Sequence, residues 1–250
     1  VRRYHRFLAD ITLDDGRAVT AHCINSGRME GLVRPGARVW VMPAENPHRT
    51  LQWSWEMVEI DGIRIGADTI LPNRLVKAML EARALPGFRS YTRIHAEHRF
   101  GTENSRADFL LERGGKQCFV EVKNCHLVYP DGRGYFPDSV SERATKHLHE
   151  LTRMVAAGHR AVVLFTVQRA DAAAVRPSDT HDPAFARAAR EAAAAGVRFR
   201  ALRIRPELDG LYVEDTIPVD LRPYDLTNPR CWKEGLKTDS GWDRPPRARR

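Results

Sequence analysis

The sequence predicts a small β-barrel followed by an α/β layered domain with a mixed sheet. Three observations carry this. Residues 1 to about 66 break into five short alternating runs separated by turn pairs. After Pro72 the apolar spacing changes from every second residue to every third or fourth. From there to about residue 221, helix-like and strand-like stretches alternate.

The five runs are RFLADITL, RAVTAHC, ARVWVM, LQWSWEMVEI and IRIGA, punctuated by Asp15-Gly16, Pro35-Gly36, the Pro43 to Pro47 loop and Asp61-Gly62. Short strands at this spacing suit an OB-like barrel, a fold that often binds single-stranded nucleic acid through basic and aromatic side chains. Arg2, Arg3, Arg6, Arg28, Arg34 and Arg38 with Trp40, Trp53 and Trp55 are the candidates. Trp53 and Trp55 lie two apart and so share a face, which is equally the barrel core.

NRLVKAMLEARAL then reads as a helix with Asn73 as its N-cap and Pro86-Gly87 as its stop. A strand follows at 91 to 98, then SRADFLLE, a Gly114-Gly115 turn and QCFVEVKN. A helix from about 140 to 156 opens on the capping-box spacing Ser139-x-x-Glu142 and ends before Gly158. AVVLFTVQ is a continuous apolar strand, Asp182-Pro183 opens an Ala-rich helix that Gly196 closes, and VRFRALRI is the last strand. Domains are therefore expected at 1–66 and 67–221. Residues 222–250, with eight Lys/Arg against four Asp/Glu and no periodicity, are expected to be a flexible basic tail.

Net charge is +8 in 250 residues, an excess that favours polyanions, although a generally basic proteome would produce it too. Cys23, Cys118, Cys125 and Cys231 form no CxxC pair, which fits a reduced cytosol. No apolar stretch approaches membrane-spanning length and VRRYHRFLAD lacks the apolar core of a signal peptide, so a soluble cytoplasmic protein is expected, with no membrane partner. GxSxG, GxGxxG and P-loop patterns are missing, which leaves no motif for serine hydrolases, dinucleotide binders or NTPases.

The chemistry concentrates in CFVEVKNC, residues 118 to 125, where Glu121 and Lys123 interrupt a strand of buried character. A Gly-Gly hairpin fixes the register so that Leu110 faces Phe119 and Asp108 faces Glu121. Opposed carboxylates destabilise a sheet unless something uses them. A divalent cation, Mg²⁺ or Mn²⁺, is one answer, with Lys123 on the same face to orient a water or stabilise developing charge. A neutral cluster of Arg106, Asp108, Glu121 and Lys123 is the other. Glu97 on the preceding strand is a third ligand or a solvated strand-end residue. Arg143, Lys146 and His147, with Glu142, open the following helix and suit either phosphate contacts or ordinary ion pairs. His95 and His98 fall on opposite strand faces and make a poor joint zinc site.

Asp108 followed by Glu121-Val122-Lys123 on this framework resembles the PD-(D/E)xK nuclease superfamily. The longer strings RFLAD, HCINSGRMEGLVRPG, LPNRL, GTENSRADFLL, CFVEVKN and GYFPDSVSERATKHLHEL resemble the sugar fermentation stimulation protein (SfsA) family over residues 6 to about 221. Ile24, Ser26, Ala107 and Ala144 depart from that pattern. The resemblance implies an OB-like domain, a restriction-endonuclease-like domain, DNA binding and a link to sugar utilisation. It also implies nuclease-type roles for Asp108, Glu121 and Lys123. Two functions stay open at this level: a metal-dependent nuclease, often a homodimer when it acts on duplex, and a non-catalytic DNA-binding regulator that keeps the fold.

Overall fold

The computed structural model describes residues 1–101 and 105–238. Six strands build the first unit: β1 (Arg2–Tyr4), β2 (Leu8–Thr12), β3 (Ala18–His22), β4 (Val39–Pro43), β5 (Trp53–Ile60) and β6 (Ile63–Gly66). They run in the order β1-β2-β3-β5-β4, with β6 on β5. Inward alternation sends Ala9, Ala21, Trp55 and Val58 into a core shared with Met29 and Leu32, and Trp53 packs against its edge. Trp53 and Trp55 are thus core residues, as their shared face allowed.

The second unit opens with α1 (Leu71–Glu81). It starts two residues before the sequence reading and has no side-chain N-cap of its own; Asp68 Oδ1 instead accepts from the Ile70 and Leu71 amides. Asn73 therefore lies inside the helix, and its side chain is free for another use. β7 (Arg93–Phe100), β8 (Ser105–Arg113), β9 (Lys116–Cys125), β11 (Arg160–Val167), β13 (Arg198–Glu207) and β14 (Gly210–Ile217) form a sheet in the order β14-β13-β11-β9-β8-β7. β9, β11 and β13 are parallel and the outer pairs antiparallel.

α1 covers one sheet face, packing Val76 and Leu80 on Phe109, Val120, Val162 and Leu164. On the other face α2 (Glu142–Ala156) and α3 (Pro183–Ala194) place Leu148, Leu151, Phe185 and Ala189 against Phe119, Val163 and Phe165. Covered faces on both sides explain why Ala161 to Phe165 is a continuous apolar run. Ser141, rather than Ser139, caps α2, accepting from the Ala144 amide; Asp182 caps α3, accepting from Phe185.

Four features escaped the sequence reading. β1 adds a sixth strand to the barrel, β10 (Arg133–Phe136) and β12 (Ala174–Pro177) form a small parallel pair, β14 returns from β13 through Leu208-Asp209, and α4 (Thr227–Thr238) occupies the stretch expected to be flexible. α4 sets Trp232 and Leu236, one turn apart, on Leu127, Tyr129 and Tyr135. The remainder of the expected tail, 239–250, lies outside the described residues. No described helix is long and apolar enough to cross a membrane, and the four cysteines are free.

The two units meet along a polar seam. The Gly66 amide donates to the Gln168 carbonyl, and Gln168 Nε2 bonds the Asp68 carbonyl and Asn124 Oδ1. The Met29 amide donates to Asp138 Oδ2, which also meets His126 Nε2 at 3.2 Å, while Glu30 Oε2 meets His181 Nε2 at 2.6 Å. A Cβ at Gly66 would collide with Gln168, and one at Gly27 would sit 2.8 Å from Asp138, so small residues permit the close approach.

Candidate functional site

The Gly114-Gly115 turn sets the expected register, with Leu110 opposite Phe119 and Phe109 opposite Val120. The recorded ladder ends at that last pair. Beyond it the Asp108 carboxylate stands in for the strand: Oδ2 accepts from the Val122 amide at 2.7 Å and Oδ1 from Asn73 Nδ2 at 2.9 Å. Both oxygens are held by neutral donors, one from β9 and one from α1.

Glu121, next along β9, is only 3% exposed. Its Oε1 accepts from Lys123 Nζ at 2.5 Å and meets His147 Nδ1 at 2.5 Å, whereas Oε2 is buried with no partner among the described residues. Burial alone would push this carboxyl up. The Lys123 charge and the His147 contact more than offset it and hold Glu121 below the ordinary glutamate value. Asp108 goes the other way: burial, then the charge of Glu121, raises it to about 6 against the opposing pull of the Val122 amide, Lys123 and Asn73. Two neighbouring carboxyls are thus driven apart, as happens where a site must keep one charged and leave the other ready to lose its proton.

The donor set fits a hard divalent cation. An unpartnered buried carboxylate oxygen is costly without a cation to meet it, and Asp108 adds a second carboxylate under mutual repulsion. No three His, Cys, Asp or Glu side chains cluster closely enough to hold a metal among the described residues, so backbone oxygen and water would have to complete the shell.

The other sequence candidates are placed as follows. Arg106 does not join the charged group: it is exposed and reaches Glu97 Oε2 at 3.4 Å, opposite Arg99 on β7. The closed four-charge cluster is therefore not formed, and the second side chain on Glu121, beside Lys123, is His147 from α2. Glu97, in the left-handed region at φ 54°, spends its carboxylate on Arg106. Arg3 is fully buried and bonds the carbonyls of Arg6, Asn25, Gly27 and Arg28, so it holds a loop and has no surface to offer a phosphate. Arg28 pairs with Glu30, while Arg2, Arg6 and Arg143 are exposed and Lys146 is half-buried.

Sequence reasoning missed the roles of Asn73 and His147. Asn73 looked like a cap. His147 falls on the buried face of α2 with Ala144, Leu148 and Leu151, and that spacing was the available signal.

The family model described as "SfsA N-terminal OB domain" matches residues 1–67, and that described as "Sugar fermentation stimulation protein RE domain" matches residues 70–210. The chain belongs to the sugar fermentation stimulation protein family. A sugar fermentation stimulation protein homolog of Geobacter sulfurreducens is 47% identical over 219 residues, covering 88% of this chain and 93% of that one. A homolog of Thioalkalivibrio sulfidiphilus is 43% identical over 221 residues, again 88% and 93%. The solved structure described as Pyrococcus furiosus SfsA in complex with Ca²⁺ superposes with a TM-score of 0.80 at 28% identity, covering 88% of this chain and 93% of that one. The SfsA fold thus spans the barrel and the mixed-sheet domain together.

Asp108→Asn supplies a direct check on what burial and the charge of Glu121 cost this carboxylate in the SfsA chain. The gap between about 6 and the ordinary aspartate value of 3.8 corresponds to about 3 kcal/mol of cost for the charged form at neutral pH. An asparagine removes that charge, and an amide flip of Asn73 keeps the pair bonded, though the bond from Val122 weakens. A net gain of about 1–2 kcal/mol in urea melts at pH 7.5 in EDTA is expected. The sign follows from linkage: the raised folded pKa makes the wild type relatively most stable below about 3.8, with that advantage lost as pH rises through about 6. A destabilised variant at pH 7.5 would show that the carboxylate is held for structure.

Proposed function

We propose that this chain binds DNA and hydrolyses phosphodiesters with Mg²⁺ or Mn²⁺, in the setting of sugar utilisation to which the family's name points. The observation that carries the reading is Glu121 Oε2, buried without a partner beside a second carboxylate of raised pKa. The Ca²⁺ described for the Pyrococcus furiosus relative supports a divalent cation in a protein of this fold.

Asp108 and Glu121, with the Val122 carbonyl, are the groups that would hold the ion. When bound, the ion supplies Lewis acidity and makes water a competent nucleophile at neutral pH. The chain's own residues do the rest. Asn73 and the Val122 amide fix Asp108; His147 fixes Glu121 from α2. Lys123 Nζ, bonded to Glu121 Oε1, is positioned to orient a water and to stabilise charge on a phosphate oxygen.

Single- and double-stranded DNA and RNA incubated with Mg²⁺, Mn²⁺ or EDTA test the reading. Cleavage is expected only with metal, and Lys123→Ala is expected to lose at least about 100-fold in rate while still binding DNA, the order of effect of removing one transition-state donor. DNA binding without cleavage under every metal condition would replace this reading with the non-catalytic regulator.

A further inference from the structure

The barrel's outer surface carries an arrangement that the nuclease-like site does not explain. Register places Met42, Ser54, His22, Leu8 and Tyr4 in one row across β4, β5, β3, β2 and β1. Their strand neighbours Ala9, Ala21 and Trp55 point into the core, so this row faces outward. Phe7, in the turn just before Leu8, is 43% exposed and stacked on His22 in the middle of the row with ring centroids 6.3 Å apart, and Met42 is 59% exposed.

Phe7 is displayed by a turn that the chain works to keep. His5 and Arg6 both take left-handed backbone conformations, at φ 47° and 65°, which non-glycine residues adopt only when their surroundings hold them there. The holder is Arg3: its buried Nε bonds the Arg6 carbonyl at 2.8 Å while its other nitrogens bond carbonyls at 25, 27 and 28. The Cys23 amide adds a bond to the Phe7 carbonyl.

Cations border the row toward the acidic pair. Arg49 Nη1 bonds Ser54 Oγ, beside His22. Arg74 is exposed on α1, next to Asn73, and both Arg49 and Arg74 act on Glu56 of the same barrel face. Asp68 also borders the row, but its carboxylate is engaged by the first amides of α1. Exposed ring faces flanked by cations, on the surface that leads to α1 and Asp108, match a chain of unpaired bases joined by phosphates.

We propose that Phe7, His22 and Met42 form a stacking face for unpaired bases of single-stranded nucleic acid, with Arg49 and Arg74 meeting its phosphates. This rests on the nucleic-acid part of the function proposed above and is independent of hydrolysis. It also names the substrate class: strands whose bases are free to stack, in preference to duplex.

The test is fluorescence anisotropy in EDTA with labelled oligothymidylate and a duplex of equal length. Phe7→Ala and His22→Ala are each expected to weaken oligothymidylate binding about tenfold, the effect of losing one base stack, and to leave duplex binding within about twofold. Phe7→Trp keeps the ring face and should retain affinity; Arg187→Ala, an exposed cation on α3, should change nothing. Circular dichroism of each variant confirms that it is folded. Unchanged oligothymidylate binding in folded Phe7→Ala, equal losses on duplex, or no binding by the unaltered protein would overturn the proposal. Loss of binding in Phe7→Ala by a protein that never cleaves would uphold it and remove only the hydrolytic reading.

Discussion

Glu121→Ala is expected to lower stability by about 3–5 kcal/mol at pH 7.5 in EDTA, opposite in sign to Asp108→Asn on the neighbouring strand. The difference follows from what each carboxylate faces. Asp108 is held by two neutral donors and repelled by Glu121, whereas Glu121 is the anion for a Lys123 ammonium only 16% exposed and for a buried His147. Removing Glu121 strands that ammonium in a low-dielectric site, where an unpaired charge is costly. Urea melts provide the measurement, and the double variant Glu121→Ala with Lys123→Met should recover most of the loss, because no charge is left unpaired. The metal response should vanish with it: a divalent ion at 100 times its dissociation constant stabilises the wild type by about 2.7 kcal/mol and Glu121→Ala hardly at all. An unchanged urea midpoint in EDTA would mean that Lys123 reaches solvent once its partner is gone.

The second large effect is expected at the seam. Burial would raise Asp138, yet the hydrogen bond and charge of His126, the Met29 amide and the His181 charge bring it down to about 2. Against the ordinary aspartate value of 3.8, this depression is worth about 2 kcal/mol. Because the folded pKa is the lower one, that stabilisation is complete above about pH 4 and is lost as pH falls through about 2. Asp138→Ala also leaves the Met29 amide and His126 without their acceptor, so a cost of about 3–5 kcal/mol at pH 7 is expected, shrinking at pH 3 and below. Chemical denaturation of both proteins across pH 2 to 7 checks this. A gap that does not narrow with acid would assign the effect to packing alone.

Strand positions were legible because alternation, turn pairs and the Gly114-Gly115 hairpin are local signals, and the hairpin carried the register as far as Phe109 and Val120. Extrapolating it further failed for Arg106, since the Asp108 side chain replaces a backbone partner just past that point. No local pattern reports that exchange. Arg3 misled for a related reason: a guanidinium can bind four carbonyls as readily as phosphates, and only the tertiary loop around residues 25 to 28 reveals which. α4 was hidden because Pro229 and Gly235 interrupt its pattern and few of its apolar residues, Trp232 and Leu236 among them, anchor it. Asn73 and His147 acquire their meaning from strands 35 and 26 residues away in sequence.

The seam also governs what can be recombined. Its bonds cross in both directions: residues 29 and 30 of the barrel meet Asp138 and His181, while Gln168 of the second unit occupies the space that a side chain at position 66 would need. A barrel grafted from a relative would therefore dock only if its equivalents of residues 27 to 30 and 66 arrived together with matching residues at 126, 138, 168 and 181. Chimaeras cut cleanly at residue 67 without those exchanges should yield two units on one chain that unfold in separate transitions, and co-transfer of the matching set should restore a single one.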